Sequence, residues 1–580
     1  MERSEVAHGM RIDWDTPIPM DDGVVLRADV FRPVAEGKYP VILSYGPYGK
    51  GLAFQEGFTG GWDRLVAAHP DVAAGTSNTY ANFEVVDPEK WVPDGYICIR
   101  VDARGSGNSP GFLNPKSIRE TQDMYHCIEW AAVQPWSSGK VGLNGISYYA
   151  TNQWYVASMQ PPHLAAMCVW EGAADYYRDN THHGGILCQF LTTLYPWAVW
   201  RVQNGVGENG PRSRANGTPV AGRVTLNQEE LVKNRIDIET SLLSHPMDDA
   251  YYSDRSAKWD KVTVPFLSAA NWGGQGLHPR GNYEGFFRAA SKQKWLEVHG
   301  LNHWTHFYTD YGVALQKRFF GHFLKGEDSG WKSQPPVQLN VRHVDKFVER
   351  FEYEWPIART QWTRFYLDLE TKTLAATAPT KPAALCYLPE GEGITFMSAP
   401  LTEEMEIAGP MAAKLFVSSK SEDADMFVAL RVFRPDGSEL TFAGSNDPRT
   451  PIALGWLRAS HRKLDPKLTL PFRPYHTHDE KQPLVPDEAV ELDVEIWPSG
   501  MVIPAGYRIG LTVRGRDYRH AGEPIRIPGI GYEMAGVGPF VHTHPADRPA
   551  DIFNAQVTLH ADKTRQPFVL LPLIPPKGKA

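Results

Sequence analysis

The sequence predicts an α/β domain interrupted by a helical insertion and followed by an all-β domain. Three textures carry that prediction. Short apolar runs alternate with segments of helical spacing up to residue 170 and again over 261–345, the pattern of a mostly parallel sheet covered on both faces. Residues 171–260 mix aromatic and polar side chains, then run into a Gly/Asn/Arg loop and Glu/Leu-rich helical stretches. From 346 to 580 the period falls to two, with Pro/Gly turns, which favours a β-sandwich of the jelly-roll kind. A chain of 580 residues is too long for one core, so this division into domains is the natural reading.

The elements follow in order. Val24–Pro33 alternates and ends in proline, and Pro40–Ser44 and Tyr96–Val101 are buried-strand runs. Glu120–Gln134 places Met124, Ile128, Trp130 and Ala131 at helical spacing, and Val141–Leu143 and Leu164–Trp170 return to strand. After the insertion, Pro265–Ala270 and Trp295–His299 read as strands and Tyr311–Phe323 as a closing helix. In the last third, Ala412–Ser418, Met426–Val432, Val490–Ile496 and Arg508–Arg514 alternate, with expected turns at Pro435–Gly437, Pro498–Gly500 and Pro504–Gly506.

Composition excludes several function classes. A net charge of −8 without a basic run gives no footprint for nucleic acid or an anionic membrane. No stretch has the ~18–20 apolar residues of a membrane span, and the charged start MERSEVAHGMRIDWD lacks a secretory h-region. Five scattered cysteines without a CxxC pair point to reduced thiols, hence a cytoplasmic protein with no zinc site. Phosphate-loop, dinucleotide and HExxH signatures are absent, so no cofactor is implied. His299, His303 and His306 lack an accompanying carboxylate or cysteine at ligand spacing, and no metal is expected there. The same holds for His182–His183 and for His542 and His544, which read as loop hydrogen-bonders.

The strongest local signal is VGLNGISYYA, Val141–Ala150. A strand enters a Gly-flanked serine and a helix-compatible segment follows, the strand–turn–helix setting of an exposed nucleophile. Ser147 would stand above the sheet, with the Tyr148 amide free to meet a developing oxyanion. Tyr149 replaces the second glycine of the simple pattern, and a serine at a helix N-cap is the competing structural reading.

Asp94–Gly111, the run through QPWSSGKVGLNGISY, YGPYG at Tyr45–Gly49, FFGHFLKG and GPFVHTHPADRP together resemble the cocaine esterase, X-Pro dipeptidyl peptidase and α-amino-acid ester hydrolase family (the CocE/NonD-like serine hydrolases). The resemblance implies an α/β-hydrolase domain (1–170 and 261–345), a helical cap inserted in it (171–260) and a C-terminal jelly roll (346–580). It implies Ser147 as nucleophile and Tyr48 as a phenol donor to the oxyanion hole beside the Tyr148 amide. Matching WLEVHGLNHW to the family's V-V-G-P-W-S-H places His303 as the base, with His299 the alternative.

The chain departs from the family at the acid. In AANWGGQGLHPRGN, Gly274 stands where the family's aspartate is expected. Such folds can carry the acid one strand earlier, which here means Glu171, directly after Leu164–Trp170, with Asp175 as the alternative. Glu171 is therefore expected to orient His303. Tyr149, Trp170 and Trp272 are candidates to line a substrate pocket, while Asp102 and Arg104 read as a structural turn. The implied chemistry is acyl transfer from a small ester or amide, or a short peptide, to water. The alternatives are an X-Pro dipeptidyl peptidase, and a degenerate hydrolase that binds a ligand or partner. The jelly roll also offers surface for a homodimer.

Overall fold

The computed structural model describes residues 3–526 and 532–576. Its first half is built on one sheet: β1 (Arg3–Ala7), β2 (Met10–Pro19), β3 (Val25–Pro33), β4 (Tyr39–Gly46), β5 (Ile97–Asp102), β6 (Ser137–Ile146), β7 (Leu164–Trp170), β8 (Phe266–Asn271), β9 (Lys294–His299), β10 (Val337–Arg342) and β11 (Phe347–Glu352). The spatial order is β1-β2-β3-β5-β4-β6-β7-β8-β9-β10-β11. From β5 to β10 every pairing is parallel. β5 and β8 are buried at every position, which is why they read as unbroken apolar runs.

Four helices cover this sheet: α1 (Ile118–Ala132), α2 (Tyr148–Ala157), α3 (Pro279–Arg288) and α4 (Asp310–Phe320). α1 turns Met124, Cys127, Ile128 and Ala131 inward, and Ser117 caps it by accepting the Glu120 amide at 3.3 Å. α2 is buried along its whole length, so it lies between layers and not at a surface. Residues 171–260 hold short helical turns, including Tyr176–Thr181 and Ile238–Ser244, and a small hairpin, His182–His183 with Ile186–Leu187. None of the described helices is long and apolar enough to cross a membrane.

The C-terminal half matches the expected jelly-roll β-sandwich only loosely. Its strands close a ring of nine, because Met405–Ser419 pairs both with Val490–Ile503 and with Phe568–Leu573 at the far end of the path. Two further sequence expectations need correction. β11 pairs with β10, so the first sheet runs past residue 345. Pro498–Gly500 is also not a turn: Val490–Ile503 continues through it. The register shifts between Gly409 and Met411 opposite this point, and a bulge is where a strand tolerates residues such as Pro410 and Pro498 that lack an N–H.

Candidate functional site

Ser147 sits between β6 and α2 with φ 58° and ψ −110°. That conformation is strained for a residue with a Cβ, at a cost of about 1–3 kcal/mol. The surroundings fix it. Its amide donates to the carbonyls of Trp170 (3.1 Å) and Glu171 (3.2 Å). A Cβ on Gly145 would lie 2.5 Å from Tyr149 Cβ, and one on Gly172 would lie 3.0 Å from Ala150 Cβ, so strand and helix meet only because these residues are small. Tyr149 fits in place of the second motif glycine because Gly46 lies under its ring, where a Cβ would come within 2.5 Å of Cε1.

The histidine that reaches the serine is His278, with Nε2 3.0 Å from Ser147 Oγ. It follows β8 and stands just before Pro279, the first residue of α3. Its Nδ1 lies 3.7 Å from Glu171 Oε2, and neither atom has a hydrogen-bond partner although both are buried. Two orphaned complementary atoms facing each other need only a small side-chain rotation to bond. Burial, reinforced by the nearby His303 and Lys116, holds the His278 imidazole well below its usual pKa. It is therefore neutral and can accept a proton.

Glu171 directly follows β7, at φ 51°, and is fully buried. Its Oε1 bonds His299 Nε2 at 2.8 Å and accepts from Asn271 Nδ2 at 3.1 Å. His299 Nδ1 in turn meets Glu297 Oε2 at 2.6 Å. Burial opposes a charge on His299, but the two carboxylates outweigh it and raise its pKa to about 10.

The expected Glu171–His303 hydrogen bond is not made. His303 Nε2 instead bonds Glu84 Oε1 at 2.9 Å. Glu84 has φ 63°, its carbonyl accepts the Ile146 amide (3.0 Å) at the base of the serine turn, and burial lifts its carboxyl to about 7 against the opposing His303 bond. His299, the alternative base, makes no bond to Ser147: it stacks on Trp170 at 5.1 Å and is held between two carboxylates. Asp175 is occupied elsewhere, capping Tyr176–Thr181 through the Arg178 amide and pairing with the Arg178 guanidinium, both at 2.9 Å.

A cavity of about 230 Å³ opens above Ser147. Ser147, His278, His303, Glu84 and Tyr48 line one side, with Phe58, Phe83, Trp197 and Trp304 among the apolar walls. A loop of the C-terminal half, including Gly444 and Asp447, closes another side. Burial, with Glu84 and Tyr149 nearby, pushes the Tyr48 phenol well above its usual pKa, so it keeps its proton as a donor. Tyr148 opens α2, where an amide has no acceptor within the helix, while its hydroxyl is spent on Glu120. Of the expected pocket aromatics, none lines this cavity. Tyr149 faces a smaller one, Trp170 backs His299, and Trp272 is buried against the second half, donating to Asn340 O at 2.8 Å. Asp102 and Arg104 are structural: Asp102 accepts the amides of Lys50 (2.6 Å) and Asn108 (2.8 Å), and Arg104 pairs with Asp123 at 2.7 Å.

Sequence reasoning missed His278 and Glu84. His278 carried a usable signal, a histidine on the loop after a late strand and just before a helix-starting proline; Glu84 carried none.

The family model for X-Pro dipeptidyl-peptidases (S15 family) matches residues 22–308, and that for the X-Pro dipeptidyl-peptidase C-terminal non-catalytic domain matches residues 329–566. A CocE/NonD family hydrolase from Staphylococcus aureus superposes with a TM-score of 0.83 at 31% identity, covering 97% of this chain and 94% of that one. A putative serine esterase from Mycobacterium bovis is 24% identical over 87% of this chain and 90% of its own length. Cocaine esterase from a Rhodococcus species is 25% identical over 72% and 80%, respectively.

Proposed function

Because this chain belongs to the S15 family, among its CocE/NonD hydrolases, and is a serine hydrolase, we propose that it cleaves esters or amides through an acyl-enzyme on Ser147, with His278 as base and Glu171 as its acid partner. The observation that carries the residue assignment is the 3.0 Å contact between Ser147 Oγ and His278 Nε2. As Oγ attacks the carbonyl carbon, Nε2 takes its proton. The imidazolium so formed donates through Nδ1–H to Glu171 Oε2, which orients and stabilises it. The Tyr48 phenol and the Tyr148 amide donate to the oxyanion, each such donor being worth about 3–4 kcal/mol in the transition state. His278 then protonates the leaving group as the carbon–heteroatom bond breaks. Water attacks the acyl-enzyme with His278 again as base, releasing the acid and restoring Ser147.

The mostly aromatic cavity suits an apolar acyl or leaving group. Dipeptidyl-peptidase action is the second reading, favoured by Glu84: its Oε2 is buried without a partner in the wall of the same cavity, where it suits a substrate ammonium.

The test is turnover of a neutral aryl ester against an X-Pro arylamide, with mass spectrometry of the quenched enzyme. Ester turnover with the acyl mass on the Ser147 peptide, lost in Ser147→Ala, is expected. Preferential turnover of the arylamide moves the assignment to the peptidase. Acylation at another serine, or none, overturns the proposal.

A further inference from the structure

Away from the serine, three buried side chains converge between the two halves of the chain: His183, Cys188 and His542, whose ligand atoms all lie within 4.8 Å of one another. His183 ends one strand of the small hairpin, Cys188 directly follows the other, and His542 comes from the late GPFVHTHPADRP segment. Proton counting makes the arrangement informative. His183 Nε2 points at the Asp179 carbonyl at 3.3 Å, and His542 Nδ1 at Asp517 Oδ1 at 2.8 Å. Asp517 Oδ1 accepts from His542 Nδ1–H, which leaves His542 Nε2 a lone pair 2.8 Å from His183 Nδ1. His183 has one proton for two acceptors, the Asp179 carbonyl and His542 Nε2: given to His542 it leaves the Asp179 contact unmade, and given to Asp179 it leaves two lone pairs face to face. A cation between the two nitrogens satisfies both, with the Cys188 thiol beside it.

We propose that His183, Cys188 and His542 bind a borderline-soft transition-metal ion of the Zn2+ class. The ligand types suit such an ion. Asp517 and the Asp179 carbonyl stand where outer acceptors fix the tautomers of metal-bound histidines. His542 binds through its Nε2 lone pair and His183 in the tautomer that donates to the Asp179 carbonyl, and Cys188 loses its proton to solvent as its sulfur coordinates. Metal–nitrogen bonds of about 2.0–2.1 Å at a tetrahedral angle set the two nitrogens about 3.3 Å apart, so the pair opens slightly on binding. The ion ties the hairpin to the C-terminal half just behind the cavity wall, since Cys188 packs with Leu277, the neighbour of His278, and with Phe540. This reading contradicts the loop-only role expected of these histidines from sequence. It does not depend on the catalytic assignment.

The test uses the full chain after chelator treatment, titrated with Zn2+ against a chromogenic chelator and separately with Co2+. One equivalent of tightly bound Zn2+, a thiolate-to-cobalt charge-transfer band and a raised melting temperature are expected. Cys188→Ser and His542→Gln are expected to lose the band and about a hundredfold or more in affinity, while His163→Gln, at a half-buried site paired with Glu129, keeps both. Far-UV circular dichroism and a single cooperative thermal transition report that each variant is folded. Two outcomes overturn the proposal. Failure of the folded wild type to take up Zn2+ assigns the contact to a hydrogen bond between the two neutral imidazoles. Uptake unchanged in both site variants assigns the metal to surface histidines.

Discussion

Replacing Glu171 with glutamine keeps the shape of the site and removes the charge facing His278. The imidazolium that forms during attack lies 3.7 Å from Glu171 Oε2. At an effective dielectric constant of about 20, a unit pair at that separation is worth about 4–5 kcal/mol, or a little over three powers of ten in rate. The available effect is smaller. The same carboxylate also serves His299, 2.8 Å away on its other oxygen, and the charge on His299 repels a second imidazolium, although Glu297 partly offsets it. Glu171→Gln is therefore expected to lower kcat on a neutral aryl ester by about 10²–10³-fold with little change in KM, while the Ser147 peptide is still acylated slowly. A kcat within about threefold of wild type would refute Glu171 as the partner of His278.

Three other outcomes follow from the same geometry. Burial holds the His278 pKa well below 6.5; measured in Glu84→Gln, so that no carboxyl titrates at that position, kcat/KM should stay level through pH 6.5 and fall only below it, and an acid limb centred at or above 6.5 would contradict the assignment. Burial raises the Glu84 carboxyl from 4.5 to about 7, so the folded state binds more protons than the unfolded state between those values and stability falls as pH rises through them; Glu84→Gln should remove a loss of up to about 3 kcal/mol, read by chemical denaturation at about pH 5 and about pH 8. Tyr48→Phe should cost about 10²–10³-fold in kcat with KM nearly unchanged, in steady-state assays on the same ester.

Much of the scaffold was legible because its signals are local. Buried parallel strands such as Ile97–Asp102 need apolar side chains on both faces, and the serine turn needs small residues where Gly145 and Ala150 stand. Closure of the C-terminal strands into a ring was not legible, because it depends on Met405–Ser419 pairing with Phe568–Leu573, far away in sequence. The histidine shows the limit most clearly. Two loops, after β8 and β9, converge above Ser147, and spacing to a family motif selected the second. The path of the first brings His278 within 3.0 Å of the serine oxygen. Gly273 passes so close to Gly444 that a Cβ would lie 2.6 Å from its Cα, and a Cβ on Gly274 would lie 3.0 Å from Pro279 Cδ. The glycine that replaces the expected acid thus belongs to the tight turn that delivers His278. Glu84 was unreadable for a related reason, since its pairing with His303 spans 219 positions.

The central claim is that His278, and not His303, activates Ser147. The most direct measurement is the rate of fluorophosphonate labelling at Ser147 in His278→Asn and His303→Asn, followed by peptide mass spectrometry. Labelling is expected to be nearly abolished in His278→Asn and close to wild type in His303→Asn. Labelling that survives in the first variant and disappears in the second, with both proteins folded, would contradict it and return the base to His303.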